Sequence, residues 1–357
     1  YGMGLLGEVR SGINVPLWRN GPVDRRRTAI ARAELQTRAA RAGTDLQLID
    51  SVRQATQRYW DWVAAGQRLR VAEELLRIAR ERQEGIEERA RAGDIPEIEG
   101  ADNARTIRQR EARVVAAERT LQAAAIELSL YLRDPDGTPR VPDASRLPDA
   151  FPAPMPSSEL ERLAEHTELA FARRPELVRL QAQRGQQELE REWAANQAAP
   201  AVDLSIAASR DLGEVPPKLQ KTDLELGLLI ELPLQRRTAI GRREAAEATI
   251  AGLQAQLRLT MDRIQNEVRD AAIGLDAARR RVELAAAEIT LAERLAEGER
   301  TRLSLGDSNV LLVNLREQAL AEARLGLVEA LQEYFRTRAQ FGYATGAWLP
   351  AGDSPQG

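Results

Sequence analysis

A helix of some 68 residues is about 100 Å long, too long for the interior of a compact globule, and this sequence holds two. Residues 24–92 and about 238–304 each read as one unbroken helical run. The seam of the second is Val268, Ala271, Leu275, Ala278, Val282, Ala285, Ile289, Ala292 and Ala296. Its alternating steps of three and four match the coiled-coil period. Alanine at alternate positions lets neighbouring backbones approach closely. The 357-residue chain is 43% apolar but only 4% aromatic, so Ala, Leu, Val and Ile must carry the packing. That length alone would allow two or three globular domains. The seams favour long coiled helices instead.

The remaining segments fall around these runs. Residues 3–17 read as a strand, and 98–133 as a second helix. Seven prolines, Pro135, Pro139, Pro142, Pro148, Pro152, Pro154 and Pro156, make 134–156 a linker, since none suits a helix interior. A short helix is expected at 157–172, and another from Pro175 to about Asn196. Strands follow at 201–210 and 223–234, with the polar loop 211–221 between them. The last helix, 308–345, carries Leu320, Ala323, Leu327, Ala330, Tyr334 and Phe341 on its seam. The tail from Pro350 is expected to be disordered. The helices at 98–133 and 175–196 cover about 54 and 33 Å. Stacked end to end, with the proline-rich segment looped out, they nearly match one long helix.

The two halves repeat. Shifted by 213 positions, Val282, Ala285, Ile289 and Ala292 fall on Leu69, Ala72, Leu76 and Ala79. Leu320, Leu327, Ala330 and Phe341 fall on Ile107, Val114, Ala117 and Leu128. Gly306-Asp307 falls on Gly93-Asp94. Two seams can agree by sharing a heptad; a shared break at the same point argues for internal duplication. One seam position disagrees, with Arg110 opposite Ala323. Each glycine suits a left-handed C-cap, and Asp94 or Ser308 is expected to cap the next helix.

The strands alternate. Leu5, Val9, Ile13 and Val15 share one face of the first, and Val202, Leu204 and Ile206 one face of the second. Leu224, Leu226, Leu228, Ile230 and Leu232 share one face of the third. Asp203, Ser205, Glu225 and Glu231 lie on the opposite faces. A half-buried sheet produces this pattern, and so do tilted strands crossing an outer membrane.

Several function classes are excluded or disfavoured. With no cysteine there is no disulfide, thiolate metal site or thiol nucleophile. One histidine, His166, rules out a multi-histidine metal centre within one chain, and it reads as a surface residue. The 51 basic and 54 acidic residues nearly cancel, which argues against nucleic-acid binding. Lys218 and Lys221 are the only lysines among those cations. No apolar run approaches a transmembrane helix, and no Gly-rich phosphate loop occurs. Nothing calls for a cofactor or supports catalysis. The chain starts mid-pattern at Tyr1 and reads as a mature fragment.

In this order, the features resemble a TolC-family outer-membrane factor. The resemblance rests on the duplicated strand–helix–turn–helix plan and on Arg173-Arg174-Pro175-Glu176-Leu177 opening the returning helix. Val15-Pro16-Leu17, Leu232-Pro233-Leu234 and Gly306-Asp307-Ser308-Asn309-Val310-Leu311-Leu312 also match. It implies a mainly α fold with a small antiparallel β part. Duplicated coiled-coil hairpins would form a trimeric α-barrel, and the strands a membrane β-barrel. It further implies a homotrimer, contact with outer-membrane lipid, a periplasmic adaptor and an inner-membrane transporter. The family gives four strands per protomer; this chain shows three, and the fourth would lie upstream of Tyr1.

On this plan 1–17 is an outer-membrane strand, 24–133 the first helical hairpin and 134–172 a proline-rich equatorial segment. Then come the returning helix 173–199, the strand hairpin 200–236, the second helical hairpin 237–346 and the tail 347–357. Asp94, Glu97, Glu99, Asp102 and Asp307 are candidate periplasmic gate residues, since carboxylate rings attract cations. The resemblance would place gate acids at Leu312 and Leu315, so the pattern is displaced to the first copy. Acidic residues also favour helix N-termini without any gating role. Arg89, Arg91, Gly93, Arg302 and Gly306 are candidate adaptor contacts at the turns. The expected function is a passive channel exporting drugs, metal ions or other solutes in a tripartite efflux pump or type I secretion system of a Gram-negative bacterium. An adaptor-type coiled-coil scaffold is the alternative, disfavoured by the duplication.

Overall fold

The computed structural model describes residues 8–93, 95–155, 159–211 and 222–349. Strand β1 spans Glu8–Pro16, β2 Ala201–Asp211 and β3 Asp223–Glu231. Helices are α1 at Arg25–Arg91, α2 at Glu97–Ser129, α3 at Leu163–Arg173, α4 at Pro175–Gln197, α5 at Arg237–Ser304 and α6 at Val310–Thr345. The chain divides into two units: Tyr1–Leu46 with Pro175–Asp262, and Gln47–Arg174 with Arg263–Gly357.

The first unit holds an antiparallel sheet of order β1-β2-β3. Its register aligns the apolar alternation. Val15 faces Leu204 and Ile13 faces Ile206, while Leu204, Ile206 and Ala208 face Leu228, Leu226 and Leu224. A one-residue slip would send every apolar side chain to the other face, so this register is the one the pattern specifies. Expected strand residues 3–7 and most of the loop 211–221 lie outside the described residues. The third strand is shorter than expected. It stops at Glu231, because Pro233 has no N–H to continue the ladder and Leu232 therefore leaves the sheet.

The corner from β1 into α1 is fixed by side chains. Asn20 adopts φ 64°, its N–H donates to Asn196 Oδ1 at 2.9 Å, and its Oδ1 accepts from Gln197 Nε2 at 2.8 Å. Asp24 then accepts from the N–H groups of Arg26 and Arg27 at 2.7 and 2.8 Å. Those backbone donors, that of Arg27 foremost, hold its carboxyl below the ordinary carboxylate value. Arg32 on α1 pairs with Glu190 on α4 at 2.8 Å.

The second unit holds both helical turns. Helix α1 ends at Arg91 and α5 at Ser304; α2 begins at Glu97 and α6 at Val310. Both pairs are offset by the same 213 residues that align the sequence seams. Gly93 and Gly306 each have φ 80°, the left-handed conformation that favours glycine. At the second turn Asp307 N–H donates to Arg302 O at 2.9 Å, a Schellman closure. The expected cap at Ser308 is corrected by one residue. Asn309 is the N-cap and accepts from Leu312 N–H at 3.0 Å, while the Ser308 hydroxyl turns back to Glu299. The α2 N-cap is Pro96, which has no side-chain acceptor. Asp94 lies outside the described residues.

Three further expectations change in this unit. Helix α2 stops at Ser129 rather than 133, where Arg133 bridges to Pro139 and Arg140 N–H donates to Leu132 O. The expected helix at 157–172 is a 3-10 turn at Glu159–Arg162 followed by α3, with 156–158 outside the described residues. The proline-rich segment does not loop out, because side chains of the helices supply its carbonyls with donors. Gln67 donates to the carbonyls of Pro148 and Asp149, both at 3.0 Å, and Arg70 to that of Asp149 at 2.7 Å. Phe151 stacks on Trp60, which stacks on Phe335 at 4.0 Å between centroids. Trp60 and Phe151 thereby join two core clusters, one around Trp62, Val63 and Leu121, the other around Leu275, Val282 and Tyr334.

Candidate functional site

Two surfaces carry the candidate residues. The first is the apolar face of the sheet. Val9, Ile13, Val15, Ile206, Leu224, Leu226, Leu228 and Ile230 are all exposed, with Leu224 at 77% and Leu226 at 74%. Val202 and Leu204 on the central strand are half-buried by their neighbours, and Leu232 is exposed beyond the strand end. Leu5 lies outside the described residues. A continuous exposed apolar row of this kind needs a cover other than water. The opposite face carries the charges, although Leu229 is exposed there as well. Arg10 on β1 pairs with Glu225 on β3, reaching across the short side chains of Ala207 and Ser209 on β2. Arg19 pairs with Glu231 at 3.2 Å.

The second surface lies at the helical turns. Glu99, Asp102 and Arg105 of α2 line a shallow cavity of about 560 Å³ together with Asn309, Val310 and Leu311. Two of the candidate gate acids thus share one wall with the start of α6. Asp102 pairs with Arg105 at 3.5 Å. Glu97 is exposed on the first turn of α2. Asp307 is exposed and pairs with Arg302 at 3.6 Å, apart from that cavity. Arg89, Arg91, Gly93, Arg302 and Gly306 are all exposed. Ile98, Leu305 and Leu311 stand among these charges, each more than two-thirds exposed.

Sequence reasoning missed a buried charge cluster behind these turns. Glu317 on α6 is 1% exposed at its side chain. It pairs with Arg82 on α1, with Arg110 on α2 at 3.8 Å and with Arg300 on α5 at 3.3 Å. Arg110 also donates to Leu75 O at 2.5 Å. Burial pushes its guanidinium below the ordinary arginine value, and Glu317 opposes the shift. The signal was present as the seam mismatch at Arg110, which points to a partner without naming it.

Arg174, quoted above as part of a motif, is 2% exposed. It donates to Glu267 Oε2 at 2.8 Å and to Ala344 O at 3.2 Å, at the C-terminal end of α6. A cation there opposes the negative end of the helix dipole. His166 is not the surface residue expected. Its side chain is 12% exposed, Nε2 lies 2.7 Å from Glu159, and its ring packs edge-on against Phe341.

No protein-family profile and no curated protein matches the chain. Solved structures do. The open state of the Neisseria gonorrhoeae MtrE outer membrane channel is similar over 95% of this chain and 79% of its own, at 14% identity and a TM-score of 0.68. The outer membrane protein VceC from Vibrio cholerae is similar over 95% and 86%, at 16% identity and a TM-score of 0.66. The Campylobacter jejuni CmeC outer membrane channel is similar over 95% and 76%, at 15% identity and a TM-score of 0.64. The fold is TolC-like. At these identities the likeness reaches the fold and no further. Within a TolC-like fold, the apolar strand face and the two helical turns are the regions whose chemistry carries the functional argument.

Proposed function

We propose that the chain is a protomer of a passive, homotrimeric outer-membrane channel, and not an enzyme. Its strands would contribute to a closed β-barrel and its hairpins to a periplasmic α-barrel. Residues 1–17 and 200–236 would face the outer membrane, 24–133 and 237–346 the periplasm. The channel would pass drugs, metal ions or other solutes from an inner-membrane transporter, through a periplasmic adaptor, to the exterior. The observation that carries this reading is the apolar row of β1–β3. It is in register across all three strands and exposed on β1 and β3, backed by a face with its own ion pairs. Lipid on one side and a wet lumen on the other suit that two-faced sheet. The solved channels of the same fold support the reading.

Within the proposal, Asp94, Glu97, Glu99, Asp102 and Asp307 form rings at the periplasmic end. Arg89, Arg91, Gly93, Arg302 and Gly306 meet the adaptor. The primary test is fractionation of the full-length protein. A trimer in the outer membrane that survives heating in detergent supports the channel; a soluble periplasmic monomer overturns it. Reconstitution tests the rings separately. Glu99→Ala with Asp102→Ala is expected to lower cation selectivity, and unchanged selectivity and conductance would remove those residues from the gate.

A further inference from the structure

Duplication creates a problem of partner choice. Two hairpins built on the same Ala/Leu seam make pairing of a copy with its own kind a competing arrangement. The Glu317 cluster distinguishes them. On the 213-residue shift, Arg82 corresponds to Leu295, Arg110 to Ala323, Glu317 to Ala104 and Asn314 to Ala101. The guanidinium groups that reach Glu317 across the seam come from the first copy, and the carboxylate comes from the second. Arg82 donates to both Asn314 and Glu317, and Arg110 lies on the far side of the same carboxylate.

All three charges are sheltered. The side chains of Arg82, Arg110 and Glu317 are 14%, 7% and 1% exposed. Glu317 Oε2 is buried without a hydrogen bond of its own, which leaves Arg110 as its electrostatic partner. Pairing of two first copies would bury Arg82 and Arg110 against Leu and Ala seams with no carboxylate. Pairing of two second copies would leave Glu317 with Arg300 of its own hairpin at Oε1 but neither first-copy arginine, so that the buried Oε2 would lose its partner. Burying one member of an ion pair alone is strongly unfavourable, whereas apolar replacement of the whole set is often neutral or stabilising. Single polar groups in coiled-coil seams set partner and register by this means.

We propose that the Arg82–Glu317–Arg110 cluster is the pairing determinant that joins a first-copy hairpin to a second-copy hairpin and rejects like-with-like pairing. It acts on which surfaces meet, and it does so whatever the protein transports.

The chain has no cysteine, so cross-linking reads this directly. Arg68 donates to Gln332 at 2.6 Å, which places these two positions on facing helices away from the cluster. Single Arg68→Cys and Gln332→Cys variants and the double variant, in the full-length protein, are treated with a short bismaleimide. The expected native result is cross-linking between 68 and 332, with no 68–68 or 332–332 dimers. In Arg82→Leu/Arg110→Leu/Glu317→Leu the helical circular dichroism is retained, and like-with-like dimers rise roughly tenfold or more. Glu317→Arg, which sets a fourth arginine among three, is expected to lose the 68–332 product while staying helical. A native cross-linking pattern in either variant overturns the proposal. So does loss of the helical signal in both, since a determinant of partner choice leaves each hairpin folded.

Discussion

The two helical turns share a backbone, the Gly-Asp pair and the arginine four residues before it, and differ in the residues that open the next helix. Gly93 and Gly306 have the same φ, and the helices on either side begin and end 213 residues apart. Beyond the first glycine stand Pro96, Glu97, Glu99 and Asp102; beyond the second stand Asn309, Leu311, Leu312 and Leu315. One turn is acidic with a proline N-cap, the other apolar with an asparagine cap. The same divergence runs up the hairpins. The first copy contributes Trp60, Gly66, Arg82 and Arg110, which stand opposite Ile273, Arg279, Leu295 and Ala323; the second contributes Phe335 and Glu317, opposite Gln122 and Ala104. Turn geometry depends on a single glycine and survives divergence. Surface and seam chemistry are free to drift until they meet something that selects them.

The largest expected effect tests the second copy alone. Phe335 is 3% exposed and stacked on Trp60, while its first-copy counterpart is Gln122. Phe335→Ala is expected to destabilise by about 3–5 kcal/mol, read as a fall in the thermal midpoint. A small effect would show that the stack does not hold the two clusters together. Next comes the first copy, where the proline-rich segment docks. A Cβ on Gly66 would lie 2.6 Å from Leu147 Cδ1. Gly66→Ala is expected to cost roughly 1–3 kcal/mol by overpacking and to raise proteolysis near 147. Unchanged proteolysis there would mean that Leu147 yields without moving its backbone.

The turns themselves should respond equally. Gly93→Ala and Gly306→Ala each place a Cβ in the left-handed region, with an expected cost of about 1–2 kcal/mol. Unequal losses in melting temperature would break the equivalence of the two backbones. Capping should separate them. Asn309→Ala removes the acceptor of Leu312 N–H and is expected to cost about 1 kcal/mol. Pro96→Ala removes no side-chain acceptor, and a loss as large as that of Asn309→Ala would contradict the asymmetry.

Much of this plan was legible without coordinates, and the reason is local. Helix α1 was expected at 24–92 and lies at 25–91; α5 was expected from about 238 to 304 and lies at 237–304. Seams, prolines and glycines act through neighbours a few residues away, so periodicity reveals them. The errors lie where a local signal competes with a distant one. Leu232 continued the strand alternation, but Pro233 stopped the ladder. The proline segment read as a free loop, because nothing within it announces Gln67, Arg70 and Trp60 as its partners.

The candidate site divides in the same way. Alternation identified the apolar strand face, and the register then put its rows side by side. The acidic run at 97–102 was visible, but its approach to Val310 and Leu311 across the second turn was not. His166 looked like a surface residue until α6 brought Phe341 against it.

The sequence by itself determined where helices run, where they turn, which strand face is apolar and that the chain is built twice. Each of these depends on spacing along the chain. Only the tertiary structure decided that Arg110 is buried against Glu317, more than 200 positions away, and that Arg174 meets the Ala344 carbonyl at the end of α6. A charge in a seam is destabilising or selective according to what stands opposite, and what stands opposite is set by packing.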